Sequence, residues 1–159
     1  MVDEKHNQAI REYWQYYVKS LPKEGGNPPA EYQAWSFWNS PEMADKLGEL
    51  VREGIKTATS SLAWLYENGV EPYPEVGEYS IILDSLGQPI CIVQTTELSV
   101  CAFNEVGEDH AYLEGEGDRS LRHWREVHWE FFSAECRGLD REPVEQMPVL
   151  CESFRLVYS

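Results

Sequence analysis

Basic residues are scarce in this chain. Thirteen Lys and Arg stand against 28 Asp and Glu, a formal net charge of −15. Long RNA or DNA is bound by neutralising phosphates with Lys and Arg, so this balance opposes a nucleic-acid strand. A small neutral ligand such as a nucleoside is easier to accept. Net charge says nothing about distribution, and a local basic groove stays compatible with it. Cysteine is sparse too. Cys91, Cys101, Cys136 and Cys151 are scattered with no C-x-x-C pair, which opposes a structural zinc site and fits reduced thiols in the cytoplasm. The opening Met1-Val2-Asp3-Glu4-Lys5 has no apolar signal region, and no apolar run approaches membrane-spanning length; no membrane association is expected. The four histidines invite a metal reading that their spacing opposes. His123 and His128, five apart, leave a common helix face, whereas His110 and Glu114, four apart, can share one. Two ligands do not make a metal site, so neither metal nor cofactor is expected.

What is present suffices for one domain with a real core: 159 residues, 42% hydrophobic and 13% aromatic. Six Trp and nine Tyr suit a core first and a base-stacking pocket second. Residues 3–21 predict a helix with Ile10, Tyr13, Trp14, Tyr17 and Leu21 along one docking stripe. Leu21-Pro22 to Pro28-Pro29 breaks it, so residues 1–30 read as an appended helix and linker and 31–159 as the main domain. Trp35-Ser36-Phe37-Trp38 predicts a first strand, and Ser60-Ser61-Leu62-Ala63-Trp64-Leu65-Tyr66 a short helix ending at Gly69. Strands at 78–84 and 90–96 flank a Ser85–Gln88 turn, the second long or bent through Leu98, Val100 and Phe103. A short helix carrying His110, Ala111 and Glu114 follows. Asp118 is then the expected cap of a helix with Leu121, Trp124, His128 and Phe131 at helical spacing, and residues 152–158 are the closing strand. Strands interleaved with short helices, without β-α-β periodicity, predict an α+β fold, and the long bent strand fits a small barrel.

The chain is organised around Glu53-Gly54-Ile55-Lys56-Thr57-Ala58-Thr59. Ser40-Pro41-Glu42 opens a helix with a capping hydroxyl, a proline at the first position and an acidic first turn. Its apolar positions are Met43, Leu47, Leu50 and Val51, and Gly54 closes it. Lys56 emerges from this rigid stop, followed by two hydroxyls on an extended segment. Thr57 and Thr59 share a face of a regular strand; Lys56 joins Thr59 only where the backbone twists or turns.

The second stretch is Asp109-His110-Ala111-Tyr112-Leu113-Glu114-Gly115-Glu116-Gly117-Asp118. Together, the G-x-K-x-x-T segment and this later H-A-x-x-E segment resemble the ASCH (ASC-1 homology) family, from roughly Trp35 to Tyr158. The resemblance implies a PUA-like, partly closed β-barrel with short flanking helices, the N-terminal helix lying outside it. Some members are amidohydrolases that remove an acetyl group from N4-acetylcytidine-type nucleosides, and others are ribonucleases or bind RNA. It assigns catalytic roles to Lys56, Thr59 and Glu114. A desolvated lysine can act as base on a threonine hydroxyl, and a nearby acid can orient that lysine or protonate the leaving amine.

Around this trio, Thr57, Glu116, Asp118 and Arg125 are candidate substrate contacts, with Trp38 and Trp124 as rings to sandwich a base. Each has a structural alternative: Asp118 as a helix cap, Glu116 as a solvated acid, and Arg119, Arg122 and Arg125 as salt-bridge partners of nearby acids rather than anchors for a phosphate or base edge. One departure stands out. Ser61 occupies the position of an arginine in the small amidohydrolase members, which leaves substrate identity open. The expected partner is a nucleoside-like small molecule; RNA is the rival.

Overall fold

The structure, a computed structural model, describes residues 4–37, 40–69 and 71–159, with the side chains of residues 4–6 and 68 outside that description. In order, the elements are α1 (Glu4–Ser20), β1 (Gln33–Trp35), α2 (Pro41–Arg52), β2 (Ala58–Leu62), β3 (Tyr79–Leu83), β4 (Pro89–Ala102), α3 (Glu108–Glu114), α4 (Leu121–Gly138) and β5 (Pro148–Tyr158). Two 3-10 turns, Ala63–Gly69 and Phe103–Glu105, complete them. The five strands form one mixed sheet in the order β1-β3-β4-β5-β2. Among the described residues, only the β1–β3 pair is parallel. Because β1 and β2 remain edges, the sheet curls into a half-barrel and does not close. The α+β architecture is the expected one.

Local chemistry accounts for the elements that frame the site. The Ser40 side chain accepts a hydrogen bond from Met43 N, with Pro41 at the first position of α2. Gly54 takes φ 77° at the other end, and the amides of Ile55 and Lys56 both donate to Leu50 O at 2.9 and 3.0 Å. The long strand β4 bends at register breaks after Ile92 and Thr95, which lets one strand serve two parts of the wall.

The central strands are covered on both sides, which explains their near-continuous apolar runs. Ile81 and Ile92 face Ile10, Trp14 and Tyr17 of α1. Their neighbours Ile82, Cys91 and Val93 face Leu47 and Val51 of α2. A further core joins Leu62, Phe103, Trp124, Phe132 and Met147 beneath α4. Among the described residues no helix is long and apolar enough to cross a membrane.

Three expectations are corrected. Ser60 and Ser61 lie in strand β2, paired antiparallel with Cys151 and Leu150 of β5; only residues from Ala63 onward turn helically. The edge of β5 needed a partner, and that tertiary demand overrode the apolar spacing read as a helix. The cap of α4 is Ser120, which accepts from His123 N, while Asp118 accepts from Ser120 N at 2.9 Å. The first strand ends at Trp35, and Trp38 lies outside the described residues.

Candidate active site

Lys56 and Glu114 stand 58 positions apart in sequence and meet in the interior, both side chains 1% exposed. A main-chain seam brings them together. Thr57 N donates to Leu113 O at 2.8 Å, and Phe154 N donates to Thr57 O at 3.0 Å. The chain then turns at Gly115, where φ is 71° and a Cβ would come within 2.7 Å of Ile55 O. Only glycine allows that approach. It swings Glu116 back toward the lysine.

The Lys56 ammonium has three acceptors: Glu114 O at 3.3 Å, Glu114 Oε1 at 3.2 Å and Glu116 Oε2 at 3.1 Å. That accounts for all of its protons. Glu114 is the hub. Its Oε2 accepts from Ser60 Oγ at 2.5 Å and from the Trp124 indole N–H, with His110 Nε2 at 3.1 Å. Its Oε1 also faces His128 Nε2 at 3.5 Å. Burial pushes the Glu114 carboxyl up, but Lys56, His128 and the hydrogen bonds from both histidines outweigh it and hold the group well below the usual carboxylate range.

His128 is fixed from both sides. Its Nδ1 lies 2.8 Å from Trp124 O, so that nitrogen must donate, and the ring stacks on Trp124 with centroids 4.3 Å apart. The other nitrogen faces a carboxylate, which favours a second proton. Burial opposes the charged ring, yet Glu114 overrides it and the His128 pKa is raised. Glu114, Glu116 and His128 place ligand atoms within 4.8 Å of one another, but the Lys56 ammonium already stands between the two carboxylates, where a metal ion would be repelled.

A cavity of about 500 Å³ opens beside this cluster, with Lys56, Thr59, Ser60, Glu114, Glu116 and His128 on its wall. Thr59 lies across the sheet from Glu152, another wall residue, so the two side chains share a face. No hydrogen bond joins Thr59 to Lys56 among the described residues; the hydroxyl bound to the cluster is Ser60, which also meets His110 Nε2 at 2.7 Å.

Four other candidates sit elsewhere. Trp124 is 3% exposed in the core and holds Glu114 from behind rather than walling the cavity. Thr57 serves the seam, its hydroxyl 3.4 Å from Leu113 O. Asp118 is exposed at its turn. Arg125 reaches Asn104 O at 3.5 Å on the outside. Likewise Arg122 pairs with Glu126 and Arg119 stacks on Tyr112, so no arginine of this region enters the cavity.

Sequence reasoning missed Ser60, His110 and His128 as parts of one cluster. The four-residue spacing of His110 and Glu114 did signal a shared face. Sequence spacing sets His128 only against His123, with which it shares no face.

The geometry has close relatives. An ASCH domain from Lactobacillus crispatus JV V101 superposes with a TM-score of 0.90 at 35% identity, over 96% of each chain. A protein from Enterococcus faecalis V583, assigned to the DUF984 family, gives 0.84 at 32% identity over 96% of this chain and 90% of its own. The hypothetical protein PH0355 shares the fold alone, with a TM-score of 0.54 at 14% identity over 79% of this chain and 99% of that one. No curated protein matches the sequence. The ASCH domain profile matches residues 33–158, from the first residue of β1 to the last of β5, and the chain belongs to the ASCH domain family.

Proposed function

We propose that the protein is a cytoplasmic amidohydrolase acting on N-acylated nucleobases or nucleosides of the N4-acetylcytidine kind. One observation carries the reading: a buried Lys56–Glu114 pair and Thr59 line the same cavity of nucleoside size. Four free cysteines fit a reducing compartment.

Glu114, held ionised by five partners, is a poor proton donor; its role is to orient Lys56. Glu116 is the less buried of the lysine's carboxylates, 14% exposed against 1%, and serves as the shuttle. Lys56 passes a proton to Glu116, and the neutral amine takes the Thr59 proton as that oxygen adds to the acyl carbon. Glu116 returns its proton to the leaving nitrogen, and water then cleaves the acyl-threonine ester. Thr59 and Lys56 must close onto each other in the complex; catalytic hydrogen bonds often tighten only with substrate bound. The rival, an RNA-binding module or ribonuclease using the same cleft, needs a positive groove. The wall instead carries six glutamates and one lysine.

Release of cytidine from N4-acetylcytidine, followed by ultraviolet absorbance, tests the reading. Lys56→Ala, Thr59→Ala and Glu114→Gln should each reduce kcat about as far as the triple variant does, because groups acting as a unit are not additive. Undetectable turnover across a panel of N-acylated nucleosides overturns the activity. Turnover that survives Lys56→Ala overturns the mechanism, and loss in Ser60→Ala with retention in Thr59→Ala moves the nucleophile to Ser60.

A further inference from the structure

The cavity is unbalanced in charge away from the lysine. Glu114 and Glu116 are matched by Lys56 and His128. Four further glutamates on the wall, Glu71, Glu78, Glu135 and Glu152, have no ion-pair partner among the described residues. Glu152 Oε1 accepts from the Thr95 hydroxyl at 2.6 Å. Glu135 Oε2 is shut off from solvent with no hydrogen-bond partner among the described residues. An orphaned buried acceptor is costly; because Glu135 is on the cavity wall, a turn of its carboxylate brings that oxygen to a ligand's donor, which removes the cost.

From this wall we infer that the cavity selects its ligand by charge: it takes neutral or cationic compounds whose N–H or O–H donors reach Glu135 and Glu152, and it excludes phosphorylated ones. This rests on the proposed function only for the reaction; the selection itself stands on the cavity. A phosphate would need a cation, and among the described residues of the wall none is free. The three protons of Lys56 are committed to Glu114 and Glu116, and the arginines at 119, 122 and 125 lie outside the wall. Burial and Glu71 push the Glu135 carboxyl up to about 7, while burial and Glu78 raise that of Glu152 against the Thr95 hydrogen bond. The Glu135 carboxyl therefore stays partly protonated at neutral pH and ionises when a cation arrives. The nucleosides that this site would process are therefore the free ones, produced by a step that removes phosphate.

Two probe series test the selection by calorimetry at pH 7. One comprises 5′-amino-5′-deoxycytidine, cytidine and cytidine 5′-monophosphate; the other comprises benzylamine, benzyl alcohol and benzyl phosphate. Within at least one series the amine should bind at least as tightly as the alcohol, and the phosphate about a hundredfold more weakly or undetectably. Glu135→Gln with Glu152→Gln should shrink that gap about tenfold or more, and circular dichroism confirms that the variant is folded. Equal binding of phosphate and alcohol overturns the inference. So does a gap unchanged in the double variant, or no binding by any neutral or cationic member. If the order holds while no N-acylated nucleoside is cleaved, the charge selection stands and the amidohydrolase reading falls.

Discussion

Glu114 and Glu135 line the same cavity, both come from helices, and both are removed from water, yet they titrate in opposite directions. Five donors or cations surround Glu114, which stays ionised well below the usual range. Glu135 has an orphaned oxygen and Glu71 as its neighbour, and rises to about 7. Burial alone raises both. Partner supply decides the sign, and the cavity consequently has one electrostatically finished end and one open to a ligand's donors.

The largest break in this comparison is Lys56→Met, which leaves Glu114 and Glu116 without their shared cation. Losing one partner of a buried pair costs about 3–5 kcal/mol, so the urea midpoint should fall sharply; a loss under about 1 kcal/mol would mean the histidines alone suffice. A smaller break is Trp124→Phe, which keeps an aromatic ring but removes one donor to Glu114 together with part of the buried indole. It should cost about 1–2 kcal/mol. A carboxyl held below its ordinary value gives stability that is present above that value and lost as pH falls through the folded one. Trp124→Phe moves the folded value upward, so the acid-unfolding midpoint should move to higher pH. An unshifted midpoint would remove Trp124 from the hub.

The mildest change sharpens the contrast. Glu135 holds its proton more tightly in the folded chain, so its contribution to stability falls as pH rises from the ordinary glutamate value to about 7. Glu135→Gln should match wild type near pH 4 and exceed it at pH 8 by about 1 kcal/mol, after allowance for solvent screening. Equal stability at both pH values would show that Glu135 is relieved by its surroundings.

Much of the frame was legible because it is written in local chemistry. Ser40-Pro41 and Gly54 bound α2 through capping rules, and the long bent β4 follows from its β-branched run. The meeting of Lys56 and Glu114 was legible only through the family resemblance, since nothing local links positions 58 apart. Ser60 and Ser61 read as helical because their apolar neighbours fit a helix, and only pairing with the edge of β5 decides otherwise. Asp118 and Ser120 are both good caps two residues apart, and spacing alone does not choose between them. An amphipathic ring such as Trp124 fits a pocket wall or a core equally well; its indole N–H on Glu114 puts it in the core, and that bond is tertiary.

The seam between residues 55–57 and 113–115 is built of main-chain atoms, and this bears on how such a site diversifies. Amides and carbonyls hold the register whatever side chains flank them, apart from the glycine at 115. Positions 56, 114 and 116 can therefore change identity together, provided that the buried charges stay matched, while the wall keeps its spacing. A lineage is free to exchange proton-transfer groups there and acquire new chemistry without rebuilding the scaffold, which is how one architecture comes to host unrelated reactions.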